Sequence, residues 1–425
     1  MPTSVISIII LAAVVVLFLL DKFPNGVVAM AGLMAMLVFK CCSTADAMSG
    51  FASDIFLLVF GMLIMGEAMF SSGAAGFIGY YAVKLSANNE RRFILISCLI
   101  SAALSAFLTN TAVIAMMMAI CLAVSESSEN MKYRNLVIPV AIAAILGGHC
   151  TMAGSTTQLT TQGLLEAASG ETFGMWDLGK VCLPITLVTI LYMTYVGYGT
   201  GKKIWGSRTD EADTKSVNKV EIKEVKLSKE GAKTLAIFGL VILLFVTGWT
   251  SSGVAAVIGA VLVVVTGCVG WKKALSHMDW NTLVWLSACL GLGKALSSSG
   301  GSALIGNWML GIVGEGAAPI VLFAAMVAIA MLMSQFMSNM ACLIVILPGT
   351  LEMVISRGLS PYTFAYGMCL GAALTYLTPL ANGHIGMTAS AGYKFSDYVR
   401  YSFVPTIIAY VMIVGLTPLF YSLAA

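Results

Sequence analysis

The chain has 425 residues, 59% of them hydrophobic and only 10% charged, with a net charge of +3. A soluble domain carries about a quarter charged residues, so this composition belongs to a membrane protein, and the small net charge excludes a nucleic-acid surface. Transmembrane β-strands alternate polar and apolar residues, and nothing here alternates; long uncharged runs at 23–39, 93–125, 234–271, 316–351, 358–393 and 401–425 predict helices instead.

No Lys or Arg precedes the first apolar stretch, so residues 4–20 read as a first span rather than a secretory leader. Spans follow near 24–39 and 54–70. The run 93–125 differs: as one helix it would measure about 50 Å, too long for an upright span, while each half would measure about 22 Å, too short to cross a core of about 30 Å. It is expected to turn at Thr109-Asn110-Thr111 and to leave on the side it entered, because Arg91, Arg92, Lys132 and Arg134 flank both ends. An interrupted span at 135–166 and a span at 180–198 complete the first half.

Residues 199–233 mix nine Lys and Arg with six acidic residues and read as a solvated linker, placed in the cytoplasm by the positive-inside rule. The second half predicts spans at 234–249, 253–270 and 280–299, then a second hairpin at 316–351 around Ser338-Asn339-Met340. Its flanks are Glu315 and Glu352, so it is expected to enter from the other face. An interrupted span at 360–392 and a last span at 401–422 follow. With this count the N- and C-termini lie outside. All but four of the 23 basic residues then fall inside: Lys40, Lys180 and Arg357 lie outside, and Lys294 sits near a span end.

The two halves repeat. Gly66-Glu67-Ala68-Met69-Phe70-Ser71-Ser72-Gly73 parallels Gly293-Lys294-Ala295-Leu296-Ser297-Ser298-Ser299-Gly300, Asn110 parallels Asn339, and 146–158 parallels 374–386. Gly174-Met175-Trp176-Asp177 likewise parallels Lys394-Phe395-Ser396-Asp397. An odd number of crossings per half inverts the copies. The predicted organisation is a first inverted repeat at 1–198, the linker, and a second inverted repeat at 234–425. The fold class is therefore an all-α membrane protein, an inverted-repeat secondary transporter with two re-entrant hairpins and two interrupted helices.

Four polar clusters stand where lipid demands apolar residues. Two are the hairpin tips, 105–111 and 334–340, in which Thr109 and Ser338 are good caps for the second legs. Two interrupt helices: Gly154-Ser155-Thr156-Thr157-Gln158, and Thr378 through His384. Breaking a helix in the bilayer frees N–H groups that favour an anion and carbonyls that favour a dehydrated cation, and backbone of that kind is tolerated only beside a cavity or protein. The candidate substrate-binding residues are thus Asn110, Thr111, Ser155, Thr156, Ser338, Asn339, Met340, Asn382, Gly383 and His384. No buried Asp, Glu or Arg occupies the clusters, which argues against proton exchange. Ten cysteines without CxxC spacing read as small buried hydrophobes, and no nucleophile–base or metal set supports an enzyme or a resident cofactor.

These residues resemble a known family. The paired tip motifs, Gly147-Gly148 leading into Gly154-Ser155-Thr156, and Ala391-Gly392-Tyr393-Lys394-Phe395-Ser396-Asp397 before the last span are similar to those of the divalent anion/sodium symporters, carriers of dicarboxylates, citrate and sulfate within the ion transporter superfamily. The resemblance covers about residues 24–422. It implies a homodimer in the inner or plasma membrane, with a scaffold domain holding an elevator-like transport domain. It implies Na⁺ as coupling ion at Ser105, Thr109, Asn110 and Gly154, and at Ser334, Ser338, Asn339 and Ala381, with the anion meeting Asn110, Thr111, Ser338 and Asn339. The chain departs from the pattern at Met340, where the family has Thr, and at Thr156-Thr157-Gln158 and Gly383-His384-Ile385, where it has Pro-Pro-Asn. The expected function is Na⁺-coupled transport of a small divalent anion, a C4-dicarboxylate first. A sodium-independent exchanger, a sulfate carrier, and an arsenite or Na⁺/H⁺ carrier of the superfamily are the alternatives.

Overall fold

A computed structural model describes residues 2–20, 22–74, 77, 81, 89–127, 131–205, 227–305, 318–379 and 383–424. Ala381 and Asn382, the 206–226 part of the expected linker, and the flank Glu315 lie outside the described residues. Apart from one isolated bridge between Leu359 and Ala424, the described chain is helical.

The first repeat comprises α1 (Thr3–Leu20), α2 (Asn25–Val38), α3 (Asp54–Ser71), α4 (Glu90–Ser105), α5 (Asn110–Ser127), α6 (Tyr133–Gly148), α7 (Thr156–Ser169) and α8 (Gly179–Trp205). The second repeat follows in the same order. It has α9 (Lys229–Thr247), α10 (Ser252–Val265), α11 (Trp280–Ser298), α12 (Pro319–Met333), α13 (Asn339–Ser356) and α14 (Pro361–Ala373). Short turns of helix at 383–391 stand in for α7, and α15 (Phe395–Phe420) closes the chain. Even the short helices Thr44–Met48 and Trp271–Ser276 occupy matching places. The repeated octapeptides that end α3 and α11 finish alike, with Gly73 at φ +76° and Gly300 at φ +77°, a left-handed turn that glycine takes without steric cost.

Side-chain caps set most of the helix starts. Ser53 and Asp279 cap α3 and α11, and Ser228, Ser251, Ser338 and Ser360 cap α9, α10, α13 and α14. The legs of the hairpins, α4 with α5 and α12 with α13, turn at 106–109 and 334–338, as the length argument requires. Asn339–Ser356 is apolar enough to cross a membrane by composition, but its apolar window is 72% buried within the protein, against 28% for α9 and α15. It is therefore a packed leg and not a lipid-facing span.

The repeats interlock through reciprocal pairs. Helix α2 packs on α11, and α10 packs on α3. In each pair a helix start donates its backbone N–H across the repeat: Gly26 to Asn281 Oδ1 at 2.9 Å, and Gly253 to Asp54 Oδ2 at 3.0 Å. Gly61 lies so close to the Ala256 backbone that a Cβ would come within 2.5 Å, the small-residue contact that lets membrane helices approach. Each hairpin packs instead on the first part of its own interrupted span, α4 and α5 on α6, α12 and α13 on α14.

Two helices outrun their expected ends. Helix α8 continues from the expected 198 to Trp205, because Trp205 Nε1 donates to Asn135 Oδ1 at 2.8 Å and Lys202 sits 4.4 Å over the Tyr198 ring. Both hold the helix against the base of the first hairpin, where buried Glu90 accepts from Lys132 N and Asn135 Nδ2. Helix α15 begins at Phe395 rather than 401, because Asp397 turns back to accept the Lys394 N–H at 2.8 Å. Asp177 does the same for Gly174 before α8, at 2.6 Å.

Candidate functional site

The first tip and the first break form one hydrogen-bonded unit. Ser105 Oγ donates to Asn110 Oδ1 at 2.6 Å, and the Asn110 carboxamide lies against Gly148, where a Cβ would come within 2.1 Å of Oδ1. Thr151 Oγ1 donates to the tip carbonyl of Ala106. Gln158, fully buried, uses Nε2 to hold the carbonyls of Gly148 at 2.8 Å and Thr151 at 2.7 Å, both freed where α6 ends. The chain then returns so closely that a Cβ on Gly154 would meet Gly148 O at 2.3 Å and Ser105 O at 2.6 Å. The break thus gathers carbonyl oxygens of Ser105 and Gly148 beside Gly154, with the carboxamide oxygen of Asn110 nearby.

This unit faces a cavity of about 450 Å³. Helices α5 and α7 both start on its wall, which places Thr109, Asn110, Thr111, Gly154, Ser155 and Thr156 together on one lining, with His384 of the second repeat. Ser155 caps α7, accepting from Thr157 N at 3.4 Å, whereas at the start of α5 it is the Thr109 carbonyl that accepts, from Val113 N at 3.1 Å. Two helix N-termini with their unpaired N–H groups and positive dipole ends therefore converge on one space, an arrangement suited to an anion. The far wall is α3, whose Glu67 accepts from Ser71 and lies 3.9 Å from Lys273 Nζ and 3.5 Å from His277 Nδ1.

The second tip is built on the same plan but closed on itself. Thr378 Oγ1 donates to the tip carbonyl of Gln335 at 2.6 Å, the counterpart of the Thr151 bond. Gln335 Oε1 accepts from Leu377 N at 3.2 Å, and Asn339 Oδ1 accepts from Thr375 Oγ1 at 2.9 Å, Thr375 meeting Asn339 as Gly148 meets Asn110. Ser334 Oγ donates to Met331 O, and Ser338 Oγ accepts from Ala341 N. Ser334, Ser338, Asn339 and Met340 do not line the 450 Å³ cavity, and Met340 is buried. Gly383 and His384 begin the short helix that replaces α7, and only His384 reaches the cavity.

The structure thus brings the first-repeat candidates and His384 together and leaves the second tip apart from them. Sequence reasoning passed over Thr151, Gln335 and Thr375, although the recurrence of Thr151 as Thr378 was a usable signal. Glu67 and Lys294 each line a cavity. Among the described residues no group of three or more His, Cys, Asp or Glu side chains is placed to hold a metal ion.

A family model described as citrate transporter (CitMHS) matches residues 15–371. The chain belongs to the citrate transporter family. This transporter is 23% identical over 434 residues to an uncharacterized transporter of Haemophilus influenzae, across 99% of its own chain and 92% of that relative. It is 21% identical over 400 residues to the sodium-dependent dicarboxylate transporter SdcS of Staphylococcus saprophyticus, across 85% of its own chain and 75% of SdcS. Among solved structures, the YdaH transporter of Alcanivorax borkumensis matches at a TM-score of 0.64 and 13% identity, over 90% of this chain and 89% of that one. The family resemblance drawn from the tip motifs and the multi-pass helical fold are both borne out. The chain is a membrane transporter and not an enzyme.

Proposed function

We propose that this transporter is a secondary carrier for a small di- or tricarboxylate anion, C4-dicarboxylates and citrate first, driven by Na⁺. The observation that carries the reading is the convergence of the α5 and α7 N-termini, with Asn110, Thr111, Ser155 and Thr156, on one cavity of about 450 Å³. Two positive dipole ends offset a dianion's charge without a buried Arg, and the hydroxyls and carboxamide supply directional bonds to carboxylate oxygens. Na⁺ coupling is supported by the carbonyls of Ser105 and Gly148 crowding Gly154 beside Asn110 Oδ1, a set of hard oxygen donors suited to a small cation. The name of SdcS supports the same pairing of sodium with dicarboxylate. A homodimer of elevator type fits the division between the interlocked α2, α3, α10 and α11 and the hairpin units packed on α6 and α14. The charge asymmetry supports a cytoplasmic linker and external termini.

Uptake of labelled succinate, citrate and sulfate into proteoliposomes, with and without a sodium gradient, tests the reading. Concentrative succinate or citrate uptake that collapses without the gradient is expected. Uptake of sulfate alone, or carboxylate exchange indifferent to sodium, overturns the corresponding half.

A further inference from the structure

A second cavity, of about 610 Å³, lies on the other side of Leu159, which lines both spaces. Its α3 and α11 walls are exchanged relative to the first cavity, while much of the rest of its lining comes from α7 and residues 172–175. The anion cavity is walled by the C-terminal half of α3 and the residues that open α11, and this one by the residues that open α3 and the C-terminal half of α11. The position of Glu67 on the first wall is taken by Lys294 on the second. Their surroundings differ: Glu67 has Ser71, Lys273 and His277 about it, whereas Lys294 forms neither an ion pair nor a hydrogen bond with any described residue. Lys294 is half-buried within α11, and a lysine carried into a membrane span without a carboxylate partner is costly unless something else meets its charge.

The acidic groups of the same cavity do not fill that role. Asp54 is engaged by Ser251 Oγ and by Gly253 N at 3.0 Å, and Glu166 is exposed and forms no ion pair with Lys294. The charged groups on this lining are therefore the Lys294 ammonium, Asp54 with its carboxylate already engaged, and the exposed Glu166, beside uncharged hydrogen-bonding groups, Gln162 and Thr172 among them.

We propose that the 610 Å³ cavity is an anion subsite organised by Lys294, where a small carboxylate is held before or after it crosses the Leu159 partition. The subsite rests on the anion reading of the first cavity, but its electrostatic signature is measurable without transport. Gln162→Cys, with Thr172→Cys as a reporter on another wall, is labelled in liposomes with the anionic reagent MTSES and the cationic reagent MTSET. The parent's ten cysteines, all buried or half-buried, set the background. Adding Lys294→Gln should lower the MTSES-to-MTSET rate ratio about three- to tenfold, the scale of one unit charge lost from a low-dielectric cavity, and Glu166→Gln should raise it. Millimolar citrate should slow MTSES labelling in the parent and fail to do so in Lys294→Gln. An unchanged ratio in Lys294→Gln, or reporters that do not react, overturns the proposal. Asn110→Ala separates the two readings. It should abolish transport while leaving citrate protection intact, so transport that survives Asn110→Ala refutes the first cavity alone, and protection lost in Lys294→Gln still establishes the second.

Discussion

Gln158 is where the first break is most exposed to a quantitative test. Its Nε2 holds two buried carbonyls, at 2.8 and 2.7 Å, while its Oε1 is buried without a partner. Gln158→Leu keeps the size and the helical propensity but removes the donor from both carbonyls, at about 1–3 kcal/mol each for a buried group left unpaired. Removing Oε1 returns about the cost of one such group, so the net loss is about 2 kcal/mol. Denaturant unfolding in detergent, followed by tryptophan fluorescence, reads that loss. Gln162→Leu, one turn along α7 and free of side-chain bonds to described residues, is the control and should stay within about 0.5 kcal/mol of the parent. Because Gln158 also fixes where α7 begins, its loss should raise the KM for citrate or succinate. If Gln158→Leu unfolds with the parent, backbone packing alone holds the break, and the role given to this side chain is wrong.

Asn110→Ala strips the Ser105 hydroxyl of its acceptor on the cavity wall and should weaken anion binding by about 1–3 kcal/mol, roughly five- to more than a hundredfold, and shift the sodium dependence, whereas Asn339→Ala, away from that cavity, should change anion binding less. An Asn110→Ala variant with unaltered anion and sodium dependence would refute the site on the first tip. Burial pushes the Asp177 carboxyl up, but bonds from Tyr362 Oη at 2.7 Å, Lys180 Nζ at 3.0 Å and Gly174 N outweigh it and hold the group below the ordinary carboxylate range. A lowered value stabilises the fold above that range and the contribution fades as pH falls through it. Asp177→Asn should therefore be less stable than the parent at pH 7, with the gap closing towards pH 3; a constant gap contradicts the linkage. For orientation, a cysteine at Ala424 should be modified by an impermeant reagent from outside and one at Lys229 should not, and the reverse pattern inverts the topology.

The hairpins were legible because their signal is one-dimensional: a run too long to cross once, too short to cross twice, with like-charged flanks. The breaks were legible for a similar reason, since Gly154-Ser155-Thr156 cannot continue a helix unaided. What sequence could not yield is contact between distant segments. The Thr151 hydroxyl reaches a carbonyl 45 residues away, and the end of α8 depends on Trp205 finding Asn135 across 70 residues. Lys202 reads as linker charge because only the folded chain shows Tyr198 and Glu90 beside it. Nearness to a span end in sequence likewise says nothing of which cavity Glu67 and Lys294 line.

Inverted repeats supply two equivalent frames, and side chains decide what each frame does. In the first repeat Gly148 leaves room for the Asn110 carboxamide, whereas in the second the Thr375 hydroxyl takes up Asn339. One small residue against one hydroxyl is enough to leave the first tip open to a cavity and the second bound to its own break. The same logic applies to charge. Equivalent positions carry Glu67 and Lys294, so the backbone is near-symmetric while the electrostatics of the two cavities are opposite in sign at matching points. A carrier needs symmetric backbone to reach two access states of similar energy, but it needs asymmetric chemistry to favour a direction of loading. The groups that meet the two tips, Gly148 and Thr375, and the equivalent pair Glu67 and Lys294 are where the two repeats differ in chemistry. Exchanging the charges, with Glu67→Lys and Lys294→Glu in one chain, should therefore preserve the fold and reverse which face binds the anion more tightly. Sided citrate-binding measurements in oriented vesicles that show no change would place the directionality elsewhere.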